Sequence, residues 1–488
     1  MQEQKSLKVN SILNILKTIS AIVFPLITFP YVSRVLQPEN IGKVNFSGTY
    51  VGYFSLIASL GIATYAVREC AAVRDDRKNL SSVASEIFSI NVCTTALAYI
   101  LLAVSLVLFR RLDNYRTLIY IQSTTILFAT WGADWINSAM EDFKYITIRS
   151  ILFQCVSLIL TFVLIKSPDD YLNYAIITVF SSSGANLSNV FYRRKYCNLR
   201  VTINMQVQKH FKPILLLFVM ILAQTIFNSA DITMLGLFCG DTEVGIYSTA
   251  YRIKSIIVQV VSSLAVVMMP RMSYYFAEND WDKINDMLKK VLSVMVTIGF
   301  PCIAGCVSLS DDIVRLVGGI EYADASMPLK ILMLSFIIDI FGGNFLGNMI
   351  CLPTKQEKVF MEACCVAAGV NVILNYLLIP VGGASAAAFT SGVAALVIFI
   401  WLLLKKDKRV RLDYILDVIK MPMVGAVAIV LFCSAIKVFK FGFWMSLVMK
   451  IGGSVVLYGS LQLGVRNPVV WDMLDLILKK IGRKGESR

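Results

Sequence analysis

Residues 363–404 read ACCVAAGVNVILNYLLIPVGGASAAAFTSGVAALVIFIWLLL, 42 residues without one Asp, Glu, Lys or Arg. A helix crosses the hydrocarbon core of a bilayer in about 20 apolar residues. This run is therefore long enough for two crossings, and Pro380-Val381-Gly382-Gly383 supplies the turn between them. Uncharged runs of crossing length recur at 87–109, 171–192 and 291–310.

Extending the same reading outward predicts fourteen spans, at 11–36, 41–66, 81–109, 115–139, 145–166, 170–192, 213–238, 243–269, 288–310, 327–350, 358–380, 384–404, 417–439 and 443–463. The fold class expected is an all-α polytopic membrane protein. Composition agrees. Of 488 residues, 57% are hydrophobic and 16% charged, against about 25% charged in soluble domains. A folded sphere cannot hide that much apolar surface from water, which excludes a soluble enzyme. Disordered chains are poor in apolar residues, which excludes disorder. The first span is too long for a cleavable leader and holds Lys17.

The net charge of +14 is a matter of topology. With the N-terminus in the cytoplasm, cytoplasmic segments hold 32 Lys and Arg, outer loops 10, and the spans four: Lys17, Arg252, Lys254 and Lys450. That bias follows the positive-inside rule with both termini cytoplasmic, and nucleic acid is not needed to explain it. The largest connection, 193–212, is basic through Arg193-Arg194-Lys195 and reads as an orientation determinant linking two halves. The tail, 464–488, puts Trp471, Leu474, Ile477 and Leu478 on one face before a basic end, as an interfacial helix does.

Soluble-enzyme chemistry finds little footing. The eleven cysteines are scattered, without a CxxC pair, and read as small buried hydrophobes. The one histidine, His210, lies in the polar linker, so histidine zinc sites and Ser-His-Asp catalysis are not expected. GxxxxGK[ST] and GxGxxG are absent. No metal or cofactor is expected.

The chain also repeats. Gly42, opening the second span, matches Gly245, opening the eighth, at an offset of 203. Asp134-Trp135 faces Asn344-Phe345 at 210, Asn137 and Lys144 face Asn348 and Lys355 at 211, and Leu164-Ile165 faces Leu378-Ile379 at 214. This predicts a six-helix lobe over 1–192, a linker, a second six-helix lobe over 213–404, and two extra helices over 417–463. Six spans is an even number, so the two copies keep one orientation, as parallel repeats do, with the substrate site between them.

Polar residues recur at helical spacing inside the spans. Ser248, Arg252, Ser255, Gln259 and Ser262 form one face of the eighth. Gln224, Asn228 and Asp231 share a face of the seventh; Asn10, Asn14 and Lys17 of the first; Asn45, Thr49, Gly52 and Ser59 of the second; Ser123, Thr130, Asp134 and Asn137 of the fourth. Polar stripes facing lipid are expensive, so these face inward. Ser, Thr and Asn at such places also serve ordinary helix-to-helix hydrogen bonding. Arg252 is the sharpest candidate, because an arginine fork matches phosphate and a buried cation needs an anion. Asp231 is the acid that could serve it in a purely structural pair. Lys17 follows, then Arg34 at a span end and Lys254 off the stripe, where snorkelling competes. Asp134, Asp231, Asp339 and Glu362 are the acids placed to carry ion coupling or to neutralise neighbouring cations. Pro25 and Pro30 should bend or interrupt the first span.

These features, with an opening from Asn14 and Lys17 through residues 25–36 (PLITFPYVSRVL) to Ile41-Gly42, residues 61–69 (GIATYAVRE), and Lys355-Gln356-Glu357-Lys358, resemble the polysaccharide-transporter branch of the multidrug/oligosaccharidyl-lipid/polysaccharide superfamily. That branch includes Wzx-type (RfbX-like) flippases. The resemblance implies a V-shaped, two-lobed transporter in the cytoplasmic membrane that moves undecaprenyl-diphosphate-linked oligosaccharide outward by alternating access. It implies cavity cations on the first, second and eighth spans, which Lys17 and Arg252 match by span, while the second span carries Asn45 and Thr49 instead. A polysaccharide polymerase is the partner it suggests. A drug/cation antiporter of the same superfamily is the alternative within transporters. From another class, a membrane-bound polymerase or glycosyltransferase needs a larger loop or an acidic motif. Asp75-Asp76, Asp169-Asp170 and Asp311-Asp312 lie in charged connections without a partner cluster.

Overall fold

In the computed structural model, residues 7–203, 205, 207–354, 356–439, 441–472 and 475 are described, with side-chain surroundings left aside over most of 7–22, 206–223 and 264–270. All regular structure among them is helical. In chain order the helices are α1 (Leu7–Ser59), α2 (Ile62–Ala72), α3 (Arg77–Leu108), α4 (Arg116–Gly132), α5 (Trp135–Ala139), α6 (Phe143–Leu164), α7 (Tyr171–Val179), α8 (Ala185–Tyr192), α9 (Val207–Phe238), α10 (Asp241–Glu278), α11 (Trp281–Ser308), α12 (Ser310–Val317), α13 (Ser326–Asp339), α14 (Glu357–Lys405), α15 (Ile415–Val438) and α16 (Phe443–Gly464). Short π-wound backbone, Phe180–Gly184, joins α7 to α8, and a longer stretch, Ile340–Cys351, continues α13.

Each expected span falls on helix. Eight helical stretches among the described residues are long and apolar enough to cross a membrane. Two contain a break that makes each a pair of spans. In α14 the break is Gly383 (φ 51°, ψ −137°), inside the expected turn and at a residue without the Cβ that disfavours positive φ. In α1 it is Gln37 (φ 63°, ψ 170°), immediately before Pro38; a residue preceding proline is driven out of the α region. Pro25 and Pro30, expected to bend the first span or interrupt its hydrogen bonding, lie within helical backbone, where each lacks the N–H that a helix residue donates. The fourth span also departs from expectation. It stops at Gly132, Ala133 turns left-handed (φ 46°), and α5 follows. At Gly132 an added Cβ would lie 2.6 Å from Asn186 Cβ, so α4 meets α8 closely there.

The burial pattern is that of a protein solvated by lipid. Along α6, Thr147, Arg149, Ser157 and Thr161 are buried while Ile148, Leu152, Ile159 and Val163 are exposed. A water-soluble helix shows the reverse. Along α15 the buried face carries Gly425, Ala426 and Cys433 beside Ile429 and Ile436, while Val424 and Leu431 are exposed, and small residues let helices pack closely inside a bilayer.

The chain divides into two compact units, Met1–Gly245 and Ile246–Arg488. The first holds a reciprocal contact. A Cβ on Gly42 would stand 1.8 Å from the Asp241 carbonyl oxygen, and one on Gly245 would stand 2.0 Å from that of Pro38. Residues 38 and 241, like 42 and 245, are related by the offset of 203 read from the sequence.

The linker is structural as well as basic. Arg193 is buried, donates to the Trp131 carbonyl, and sits 5.3 Å from the Phe88 ring. Tyr196 and Cys197 enter the core beside Phe88 and Trp135. Beyond them the chain runs along α3. The backbone N–H groups of Asn198, Arg200 and Thr202 donate to Oγ of Ser81, Ser85 and Ser89 at 3.3, 3.2 and 2.8 Å. Four helical residues rise about 6 Å and two extended residues about 6.6 Å, so the two periods keep step. His210, read as part of a polar linker, is fully buried instead: Nδ1 lies 2.7 Å from the Tyr65 hydroxyl and Nε2 3.1 Å from Glu86. It belongs to α9, whose start packs against α2.

Candidate functional site

The polar residues inside the spans separate into members that hold helices together and members that remain available. Thr130 meets Thr95 at 2.7 Å, and the Tyr99 hydroxyl donates to the Ser123 carbonyl. Those stripe residues serve packing. Asn45 and Thr49 are half-buried; Asn228 and Gln224 on α9 are exposed, and Asp231 is buried.

The eighth span is the first part of α10. Arg252 is half-buried in it. The Ser255 hydroxyl donates to the Arg252 carbonyl at 2.8 Å, and Gln259, exposed, donates to the Ser255 carbonyl at 3.3 Å. These side chains follow one helix face, as their spacing predicts. Lys254, off that face, does not stand beside Arg252. Its ammonium lies 2.9 Å from Asp339 Oδ2 on α13. Two residues selected separately, one as a substrate ligand and one as an ion-coupling acid, thus form a pair. Two turns further on, Ser262 donates to Asn344 Oδ1 at 2.6 Å.

In the first unit Asp134 forms an ion pair with Arg149 of α6. Arg149 is 5% exposed, its guanidinium lies 5.1 Å from the Tyr145 ring, and its Nε and Nη1 have no hydrogen-bond partner among the described residues. Asn137 donates to Asn189 Oδ1, and Asn189 to the Gly132 carbonyl, so the chain ends left open by the α4 break are tied to α8. Arg149 was not singled out from sequence: it sits among apolar residues at the start of a span, where a lone basic residue reads as topology.

The other ionisable candidates are dispersed over the chain. Arg34 is exposed, and Glu362 is half-buried on α14. Lys17 has its side chain outside the described residues, and so does most of the amphipathic tail. Asp231 and Arg252 fall in different units. Asp311 and Asp312, read as lying outside any acidic cluster, have structural partners: Ser326 and Lys330 for Asp311, and Lys450, 2.7 Å away and 3% exposed, for Asp312. The pairing resolves the charge that Lys450 carries inside the last span. It was invisible in sequence because 138 residues separate the partners. The same is true of Asn371, Asn375 and Thr390 on the two arms of α14. All three are fully buried, with Asn375 donating to Asn371 and Thr390 donating to Asn375.

Outside the spans, Arg409 and the backbone N–H of that residue hold the Asp407 carboxyl down to about 2. Backbone N–H groups of Lys166 and Ser167 lower Asp170 in the same way. Both are loop features.

Helices that expose apolar faces, bury their polar ones and carry paired charges between them define a multi-pass membrane protein. Comparison with known proteins agrees. Residues 7–276 match the family "Polysaccharide biosynthesis protein", and residues 217–377 match MatE. The chain belongs to the polysaccharide biosynthesis protein family, and it is a transporter rather than an enzyme. It is 22% identical over 369 residues to a protein described as an O-antigen transporter in Escherichia coli (strain K12), spanning 73% of this chain and 86% of that one. It is 24% identical over 379 residues to the capsular polysaccharide biosynthesis protein CapF of Staphylococcus aureus, spanning 75% and 91%. Its fold superposes on a structure of the lipid II flippase MurJ, inward closed conformation, with a TM-score of 0.73, 14% identity, and 94% and 99% of the two chains covered.

Proposed function

We propose that this chain flips an undecaprenyl-diphosphate-linked oligosaccharide from the inner to the outer leaflet of the cytoplasmic membrane, for O-antigen, capsule or exopolysaccharide synthesis. The observation that carries the reading is the polysaccharide biosynthesis match over residues 7–276. The relatives' names point the same way. Both termini face the cytoplasm on the positive-inside count.

The mechanism is alternating access of two lobes, 1–192 and 213–404, joined by the linker 193–212 and extended by the helices of 417–463. Arg252 and Lys17 hold the diphosphate, because a guanidinium fork and an ammonium are the groups that bind phosphate oxygens in a medium where water cannot. Arg34 and Lys254 are secondary anion ligands. Asn45, Thr49, Asn228, Ser255 and Gln259 replace water around the sugars. The prenyl tail stays in lipid. Among Asp134, Asp231, Asp339 and Glu362, an acid released from its cation carries the coupling ion. A polysaccharide polymerase receives the product.

Transport in proteoliposomes tests this. A fluorescent undecaprenyl-diphosphate oligosaccharide should cross in wild type and lose at least tenfold in rate in Arg252→Ala, with both proteins equally folded. The MatE match favours one second reading, a drug or cation antiporter. Movement of an ethidium-type cation without movement of lipid establishes that reading instead.

A further inference from the structure

We infer that Asp339 and Asn344 are positioning residues for the helix that carries Arg252, and that the π winding of residues Ile340–Cys351 is what lets them act together. The inference deepens the proposed function and rests on Arg252 being the diphosphate ligand.

Two contacts join α10 to this segment. Lys254 pairs with Asp339 at 2.9 Å, and Ser262 donates to Asn344 at 2.6 Å. Residues 254 and 262 are eight apart, about 12 Å along a helix axis. Asp339 and Asn344 are five apart. In α-helical backbone five steps of about 100° leave two side chains roughly 140° from each other, on different faces. In π winding the i→i+5 hydrogen bond brings residue i+5 round nearly beneath residue i. The backbone leaves α after Asp339 and stays π-wound to Cys351. The side-chain amide of Asn344 donates to the carbonyl of Asp339 itself, at 3.2 Å. Both residues therefore face α10.

The segment has a firm backing. An added Cβ on Gly299 of α11 would stand 2.7 Å from Ile340, one on Gly342 3.1 Å from Phe399, and one on Gly347 2.7 Å from Phe360. α10 is thus held at two points by a braced partner, and two points fix its rotation where one would leave it free. Ser255 and Gln259 lie between the two points and Arg252 just before the first. At a radius of about 5–6 Å, a 30° turn of α10 moves a side-chain tip by about 3 Å, enough to lose a hydrogen bond. Lys254 and Asp339 are 12% and 23% exposed. A charged pair reaching the surface inside an apolar span faces a wet cavity, not lipid, so the pair borders the space the substrate crosses.

The test uses the full chain in proteoliposomes with Asp339→Asn, Asn344→Ala, and the exchange of Asp339→Lys with Lys254→Asp. One readout is the initial rate against the concentration of a fluorescent undecaprenyl-diphosphate oligosaccharide. The second is labelling of a Gln259→Cys reporter, introduced into a separate copy of each protein that is not used for transport, by a membrane-impermeant thiosulfonate. Peptide mass spectrometry separates that site from the native cysteines. Each single variant should raise KM at least fivefold and change the labelling rate at least threefold, and Asn344→Ala, which touches no coupling acid, should keep kcat within twofold. The charge exchange should return the labelling rate to within twofold of wild type, while KM stays raised because Lys254 is itself a secondary anion ligand. Loss of kcat alone in Asn344→Ala, or an exchange that does not restore the labelling rate, overturns the inference. So does an unchanged labelling rate in both single variants, whatever the transport data. If Asp339→Asn fails to fold, Asn344→Ala decides, since it removes no charge. A wild type that moves no lipid while labelling responds as expected removes the transport reading and leaves the positioning in place.

Discussion

The fourth and tenth spans, matched by the repeat read from the sequence, both leave α-helix, but three residues apart on the offset of 210: α4 ends at Gly132, which maps to Gly342, and α13 ends at Asp339. Asp134 and Asn344 are related by the offset of 210. In the first unit the helix ends outright, at a left-handed Ala133, and Asp134 turns to Arg149 of the next span. In the second unit the chain stays wound but passes into π backbone, and the acid that finds a cation is Asp339, five residues earlier, reaching Lys254 of the eighth span. The span that leaves α-helix is shared by the two copies; the pairing is not. One pair is built around a buried guanidinium and the other around two half-open groups. The first suits a fixed joint and the second an element that must let go.

That contrast can be broken by measurement. The largest effect is expected from Asp134→Ala, which strands Arg149, 5% exposed, without its counter-charge. A buried charge left unpaired costs about 3–5 kcal/mol, read as lost thermal stability in detergent. Asp339→Ala should cost only about 1–2 kcal/mol, because Lys254 can reach water. Equal losses in the two variants would mean that both pairs are fixed joints. Next come Gly42→Ala and Gly245→Ala, each forcing a Cβ against backbone within 2.0 Å. Overpacking of that kind costs about 1–3 kcal/mol or more. The reciprocity of the contact requires the two losses to agree within a factor of about two; a large asymmetry would show that the repeats do not meet there as equivalents. The smallest effect calibrates the scale. Asp407, held down to about 2 by Arg409, stabilises the fold above the carboxylate's ordinary pKa, and loses that contribution as pH falls towards about 2. Asp407→Asn should shift the melting temperature by no more than about 1 °C at pH 7. The difference from wild type should shrink between pH 5 and pH 3; a difference that grows in acid contradicts the assignment.

Legibility divides along the same line. The long apolar helices and the turn at Pro380 to Gly383 could be read because bilayer thickness and backbone sterics act on contiguous residues. The break in α1 falls between the two spans read from the sequence, 11–36 and 41–66, at Gln37 before Pro38, where the constraint of a following proline meets the end of a span. The end of α4 was missed because nothing local marks Ala133 for a positive φ; close contact of Gly132 with Asn186 decides it. Within the candidate site, Arg252, Ser255 and Gln259 were found because helical periodicity puts them on one face. Lys254 and Asp339 were each recognised as costly in a bilayer, but not as partners, since 85 residues separate them in the chain. Arg149 was passed over for the same reason, its acid being visible and its own burial not.

The sequence by itself determined that this is a helical membrane protein and where along the chain its long apolar helices fall. Both follow from transfer free energies and helix periodicity, which depend only on residues near one another in the chain. Tertiary structure alone decided which acid neutralises which cation, where His210 goes, and that residues after Asp339 wind as π rather than α. Those outcomes depend on what stands opposite: a buried charge accepts whichever counter-charge the packing brings within about 3 Å, and a helix changes its winding when two of its side chains must reach the same neighbour.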